Sequence, residues 1–407
     1  MAFSSRFGRA CEAGCKHVAP SSAGIELVET VLSDRFDVLW QMPMKSPVVQ
    51  SGLCHVSFAY DAARSIDLGV AERRIHQATE RPTIAHKRRT PSYFEYQPAP
   101  IRMIRNAHPF VVGKVTTRPS VDLMIYDFGA VSVIYSLPID GPFEDLLFLN
   151  EELYENETLL VDSRLHVDQL LTIIGDAARQ SHSSPVVEDY VIFHVERFSE
   201  PIDLKLFCAE YARQIAQILR AESESLSDQE IEDALAVRIS YGINDVLLVD
   251  WNAALLLDNE GEDVRALLEF ANVELLEMRY VDQKLDRALE QAYETLAHRS
   301  WNLPWVFRSY SADLGSLAEL QVDNATLFEG VNNTLKLFGD QYLGRVYRMV
   351  NRRFHLDEWD SSILRKLQSL ESIYDKISHQ VSERRTEMLE WIIILLIAFS
   401  IAVGFIH

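Results

Sequence analysis

Between Ile363 and Met388 apolar residues return in alternating steps of four and three: Ile363, Leu367, Leu370, Tyr374, Ile377, Val381 and Met388, with Arg384 in the remaining seam position. A repeat of 3.5 commits this segment to one long helix whose seam must be covered. The cover is either the chain's own preceding helices or a second copy of the chain. The seam runs straight into MLEWIIILLIAFSIAVGFI, Met388 to Ile406, where Glu390 is the one charge. At about 1.5 Å per residue this run reaches across a ~30 Å hydrocarbon core. Trp391 falls at interfacial depth. Ile392 to Ile397 is apolar on every face, unlike a one-sided amphipathic helix. Lys376, Arg384 and Arg385 precede the run and only His407 follows. The sequence therefore predicts a tail anchor at 388–406, with residues 1–387 on the cytoplasmic side.

The 407 residues suggest two or three domains. Apolar residues make up 48% and charged residues 24%, which excludes a disordered, collagen-like or polytopic membrane chain. Four cysteines exclude a disulfide scaffold and fit a reducing compartment. Acids outnumber bases by 60 to 39, a net charge of −21. Residues 1–118 carry 16 Lys/Arg against 10 Asp/Glu, and the remainder 23 against 50. That distribution excludes nucleic-acid binding by the whole surface and leaves room for a local basic face. The start, MAFSSRFGRA, lacks the apolar core of a secretory signal.

Residues 1–50 have no steady period and read as a flexible leader. Leu53–Tyr60 alternates like a strand, and Ser65–Ile75 has helical spacing. Residues 76–100, rich in Pro, basic and aromatic residues, read as an inserted loop. Val121–Leu137 predicts a hairpin turning at Gly129. A helix then opens near Phe143 with Pro142 in its first position. A second helix covers Leu165–Arg179, and Val187–Val195 is a strand. This order is close to a split-βαβ, ferredoxin-like layout. A helix at Leu204–Arg220 follows, then a capping box at Ser227–Glu230 and short strands at 245–250 and 253–258. From Glu262 the apolar spacing is helical, with further helices at 314–337 and 341–354. The fold class expected is α+β. Its parts are a leader (1–50), a split-βαβ domain (51–260), a helical bundle or coiled-coil stalk (261–387) and one transmembrane helix (388–406).

Asp127-Phe128-Gly129 has the letters of a kinase magnesium motif without its Gly-rich loop or catalytic-loop companions, so the turn reading stands. Cys11, Cys15 and His17 do not have the spacing of a zinc pair. Asp250-Trp251-Asn252 closes an apolar strand where sites are commonly built, though Asp and Asn also make ordinary turns. Two basic clusters suit an anionic partner. Arg81, Lys87, Arg88 and Arg89 adjoin Tyr93, Phe94 and Tyr96; Arg345, Arg348, Arg352 and Arg353 share neighbouring turns of one helix. The second cluster suits RNA, lipid head groups or the acidic body of the same protein.

ANVELLEMRYVDQKLD at 271–286, ERRTEMLEWIIILLIAFSIAV at 383–403 and the Phe128-Gly129 hairpin turn resemble the "required for meiotic nuclear division" family, domain of unknown function 155. Ile239-Ser-Tyr-Gly-Ile243 departs from that family's pattern and suggests a divergent bacterial branch. The resemblance implies an inner-membrane assembly factor (mitochondrial in a eukaryote) linked to translation, with no catalytic residues or cofactor. The sequence-level expectation is thus a non-enzymatic, tail-anchored adaptor. Leu389, Glu390, Trp391, Ile392, Ile393 and Ile394 open its anchor. Its partner is a ribosome, an RNA, another protein or a second copy joined through the C-terminal helices. The rivals are a membrane-tethered, metal-dependent hydrolase or nuclease built on Asp250, and a self-associating scaffold.

Overall fold

A computed structural model of the chain describes residues 46–79, 99–182, 184–297 and 341–406. Nearly all of the expected leader, most of the 76–100 loop with Arg81, Lys87, Arg88 and Arg89, and the helix expected at 314–337 lie outside the described residues. From Pro47 on, the described residues form one compact unit.

The centre of the fold is β1 (Val48–Asp61), β-branched and aromatic enough to be buried on both faces. It pairs antiparallel with β10 (Val187–Phe198) on one side and β7 (Ala130–Pro138) on the other. Beyond β7 come β6 (Ser120–Ile125) and the edge strand β3 (Ile101–Asn106). Beyond β10 come β13 (Ala253–Leu257), which is parallel to it, β12 (Val246–Val249) and β11 (Arg238–Ile239). With β8 (Gly141–Pro142) on the start of β1, the sheet has nine strands. Two small ladders, β2 (Ser65–Ile66) with β9 (Ala178–Arg179) and β4 (Val111–Val112) with β5 (Val115–Thr116), lie outside it. Taken alone, β1, β6, β7 and β10 stand in the order 4-1-3-2, the split-βαβ connectivity. The sheet exceeds the expected four strands because β3 and β11–β13 extend both edges.

The β6–β7 hairpin turns at Gly129 as the sequence predicts. Gly129 sits at φ +109°, and a Cβ there would lie 1.6 Å from the Ala63 carbonyl oxygen, so only glycine fits. Pro142 departs from expectation. It extends β8, and the helix begins later as α2 (Asp145–Leu153). The next helix, α3 (Glu157–Ile174), starts earlier than its apolar spacing suggests, because Asn156 Oδ1 caps it by accepting from the Leu159 amide at 3.0 Å.

Five helices cover one face of the sheet: α1 (Leu68–Thr79), α2, α3, α4 (Leu204–Glu210) and α5 (Ala212–Arg220) share a hydrophobic core with Val56, Phe58, Leu123 and Phe193. The short α6 (Asp228–Ala234) is capped by Ser227, whose Oγ accepts from the Glu230 amide. The other face is covered by α7 (Glu262–Ala297), α8 (Gln341–Arg353) and α9 (Leu356–Ile406). The described half of the heptad seam is used inside the chain: Ile363, Leu367, Leu370, Tyr374 and Ile377 are buried in one cluster with Val281 and Leu285 of α7.

Among the described residues, no helix is long and apolar enough to cross a membrane. This overturns the predicted span at 388–406. These residues continue the 51-residue α9. Leu389, Trp391, Ile392, Ile393 and Ile394, expected at the mouth of an anchor, are exposed side chains of this helix.

Candidate functional site

Asp250 directly follows β12 and is fully buried. Its carboxylate accepts from Arg220 Nε at 3.0 Å, from Arg353 Nε at 2.9 Å, from Arg353 Nη2, and from the Trp251 amide at 2.7 Å. Its backbone closes the β12–β13 turn through Asp250 N to Ala253 O, and Tyr190 Oη donates to its carbonyl. The same two guanidiniums continue outward. Arg220 Nη2 and Arg353 Nη2 reach Asp233 Oδ2 at 2.6 and 2.9 Å, and Arg220 Nη1 holds Glu230. Two arginines and three carboxylates thus tie α5, α6, the β12–β13 turn and α8 together. Burial pulls the Arg353 pKa down, but the hydrogen bonds and charges of Asp233 and Asp250 outweigh it and leave it raised. Bonding from Arg353 holds Asp233 below the usual carboxylate range.

Both Asp250 oxygens are taken by guanidinium and amide donors, so Asp250 serves as the hub of a clasp. Trp251 is exposed and Asn252 partly buried beside it. Among the described residues no group of three or more His, Cys, Asp or Glu is placed to hold a metal ion.

Of the partners open to the α8 arginines, Arg353 takes the acidic body of the same protein, being committed to Asp250 and Asp233. Its three companions do not share that fate. Arg345, Arg348 and Arg352 follow steps of three and four along α8, and all are exposed. Arg345 lies 5.8 Å from the Tyr342 ring centroid, and Tyr342 meets the exposed Tyr241 edge-on at 5.3 Å. No carboxylate among the described residues pairs with these three arginines. The sequence brought four arginines to one helix, and the structure divides them between a clasp and an open face.

The interface between α7 and the sheet holds titratable groups that sequence reasoning did not single out. Arg265 and Glu269 form a buried pair one turn apart. Near them His55 receives or gives a hydrogen bond with Ser136 at 3.1 Å, and burial followed by the Arg265 charge keeps its pKa well below the ordinary value. At the far end of β1, His182 Nε2 lies 2.9 Å from Asp61 Oδ2 and 2.9 Å from Tyr280 Oη, while Nδ1 is 3.1 Å from the Gln180 carbonyl. The hydrogen bond to Asp61 raises the His182 pKa. One nitrogen faces both Asp61 and Tyr280, so this is not a relay in which a carboxylate orients one nitrogen and a nucleophile meets the other. The signal available in the sequence was a strand ending on an acid, Tyr60-Asp61; nothing local pointed to residues 182 and 280.

Residues 51–263 match the family model described as "Uncharacterized protein MJ0711, N-terminal domain". The chain is 25% identical over 229 residues to the uncharacterized protein MJ0711 of Methanocaldococcus jannaschii, which covers 55% of this chain and 67% of that protein. No solved structure matches the chain. The match overturns the resemblance to the "required for meiotic nuclear division" family. Segments 271–286 and 383–403, which carried that resemblance, lie beyond the matched residues; their apolar helical patterns are shared by many long helices.

Proposed function

The chain belongs to the MJ0711 N-terminal-domain family, and from its own geometry we propose a non-enzymatic adaptor that holds a single-stranded RNA on the exposed arginine face of α8. The observation that carries the reading is the row of Arg345, Arg348 and Arg352, exposed and without carboxylate partners among the described residues, beside Tyr342 and Tyr241. Along the helix these arginines rise by about 4.5 and 6 Å. Guanidinium charges contact phosphates, and neighbouring rings offer stacking planes that tolerate any base. The acidic remainder of the molecule then confines binding to this face. The competing hydrolase reading gains nothing from Asp250, whose oxygens are occupied.

The test is fluorescence anisotropy of the full chain with a labelled single-stranded RNA across a salt series. Reversal of all three charges (Arg345→Glu, Arg348→Glu, Arg352→Glu) is expected to weaken binding at least about tenfold at low salt. The slope of log affinity against log salt should fall by about 2, from ~0.7 per lost contact. Equal affinity and slope in the variant would overturn the assignment.

A further inference from the structure

Beneath α3 a directly paired row crosses the sheet: Val56 of β1, Tyr135 of β7, Val121 of β6 and Arg105 of β3. Paired residues share a face, so Arg105 extends toward α3 with Tyr135 and Val121. Above the row, Asp162, His166 and Gln169 follow steps of four and three on one side of α3. The two rows meet in register. Tyr135 Oη donates to Asp162 Oδ2 at 2.6 Å, His166 Nε2 lies 3.3 Å from the same oxygen, and Arg105 Nη2 donates to Gln169 Oε1 at 2.7 Å.

Two atoms in this arrangement are left over. Arg105 Nη1 and His166 Nδ1 are both shut off from water, and neither has a hydrogen-bond partner. His166 is only 7% exposed. The half-buried or buried guanidiniums of Arg102, Arg220, Arg265 and Arg353 each face a carboxylate. Arg105 faces only a neutral amide. A buried cationic donor and a buried ring nitrogen, each without a partner and close enough for the Arg105 charge to act on His166, are costly to leave unsatisfied. Gln169 is exposed, so an incoming group can displace its amide from Arg105.

We propose that the space between Arg105 and His166 is a binding site for a small oxyanion, a carboxylate or a phosphate carried by a small molecule. The oxyanion takes both Arg105 Nη groups as a fork and accepts from His166 Nδ1–H. Burial lowers the pKa of Arg105. Burial, and then the Arg105 charge, lower that of His166 against the pull of Asp162. A bound anion relieves both groups, so His166 takes up a proton on binding. The Asp162 carboxylate opposes the ligand, and it is held by Tyr135 and by the imidazolium so formed. Affinity therefore falls as pH rises through the histidine range.

The experiment is a thermal-shift titration of the full chain with sodium acetate and with inorganic phosphate, against chloride at equal ionic strength, at about pH 6 and about pH 8. Ring-nitrogen NMR follows His166 in parallel. The expected result is a saturable rise in Tm with one of the two anions, larger at the lower pH, together with protonation of His166 Nδ1. Acetate identifies a carboxylate site and phosphate a phosphate site. Arg105→Gln should abolish the response. Gln169→Ala, at an exposed position, removes the competing amide and should tighten binding at least about tenfold, one charged hydrogen bond's worth. No anion response in the wild-type chain, a response that survives Arg105→Gln, or no tightening in Gln169→Ala would each overturn the site.

Discussion

Along β1, Cys54, Val56, Phe58 and Tyr60 face the layer made by α1–α5, while His55, Ser57, Ala59 and Asp61 face α7. One backbone thus serves two kinds of interface. Apart from the polar cluster of Arg105, Tyr135, Asp162 and His166 under α3, the first is closed by apolar volume, with Phe143 meeting Phe198, Phe207 and Tyr211 edge-on or tilted at 5.1–6.4 Å. The second combines apolar contacts with buried ion pairs and hydrogen bonds, among them Arg265–Glu269, Glu274–Tyr347 and Arg220–Asp250–Arg353. Apolar contacts are indifferent to direction and pH. Buried charged contacts hold only in one geometry and one protonation state. The α7–α9 side should therefore be the more specific attachment and the more easily perturbed by solution conditions.

The largest test of this contrast is Phe143→Ala on the apolar side. It should cost about 3–5 kcal/mol in urea unfolding and show the same loss at every pH. Next is Asp250→Ala, which strands two guanidiniums and should cost about 3 kcal/mol; proteolysis or hydrogen exchange should show α8 loosening before the sheet. Equal protection of α8 and the sheet in that variant would break the comparison.

A pH-dependent effect follows at Glu274. Burial pushes its pKa up to about 7, against the hydrogen bond from Tyr347 Oη at 2.6 Å. The folded value is raised above the unfolded one. The stability it contributes is thus fully present below about pH 4.5 and is lost as pH rises through about 7. Glu274→Gln should accordingly stabilise the chain by about 1–3 kcal/mol above pH 8 and change little below pH 4, as read by thermal unfolding across the pH series. His182 points the same way, since its raised pKa places stability at the acid side of its range. The smallest effect belongs to the α8 surface: Arg348→Glu should shift stability by under about 0.5 kcal/mol, so any larger loss of RNA binding is separable from folding.

Much of the fold was legible in local pattern. The β1 alternation, the Gly129 turn, the Ser227 cap and the α9 seam each depend on neighbours a few residues away. The edge strand Ile101–Asn106 was not, because Arg102 and Arg105 interrupt its apolar run and are explained only by Asp122 across the ladder and by α3 above it. The apolar stretch after Met388 misled because a hydropathy pattern carries no information on what a helix end meets. The candidate sites were legible in residue type and not in assignment. Asp250 and the four α8 arginines stand out in the sequence, yet their division into a clasp and an open face required positions 220 and 233, which no spacing rule connects to 250 or 353. Likewise Asp61, His182 and Tyr280 come from three separated segments.

The position of β1 at the centre of the sheet also sets an order of events during synthesis. Val56 pairs with Tyr135 on one side and Val191 on the other. At roughly 5–20 residues per second, the second partner leaves the ribosome on the order of ten seconds after β1 itself. Throughout that interval this long strand, buried over most of its length, has one edge and two faces to conceal. The β6–β7 hairpin, closing locally, reaches it first and shields one edge; β10 seals the other only later. The nascent chain therefore passes through a stage in which a half-built sheet offers an open edge, and that stage, more than the finished fold, is where the protein is most exposed to misassembly.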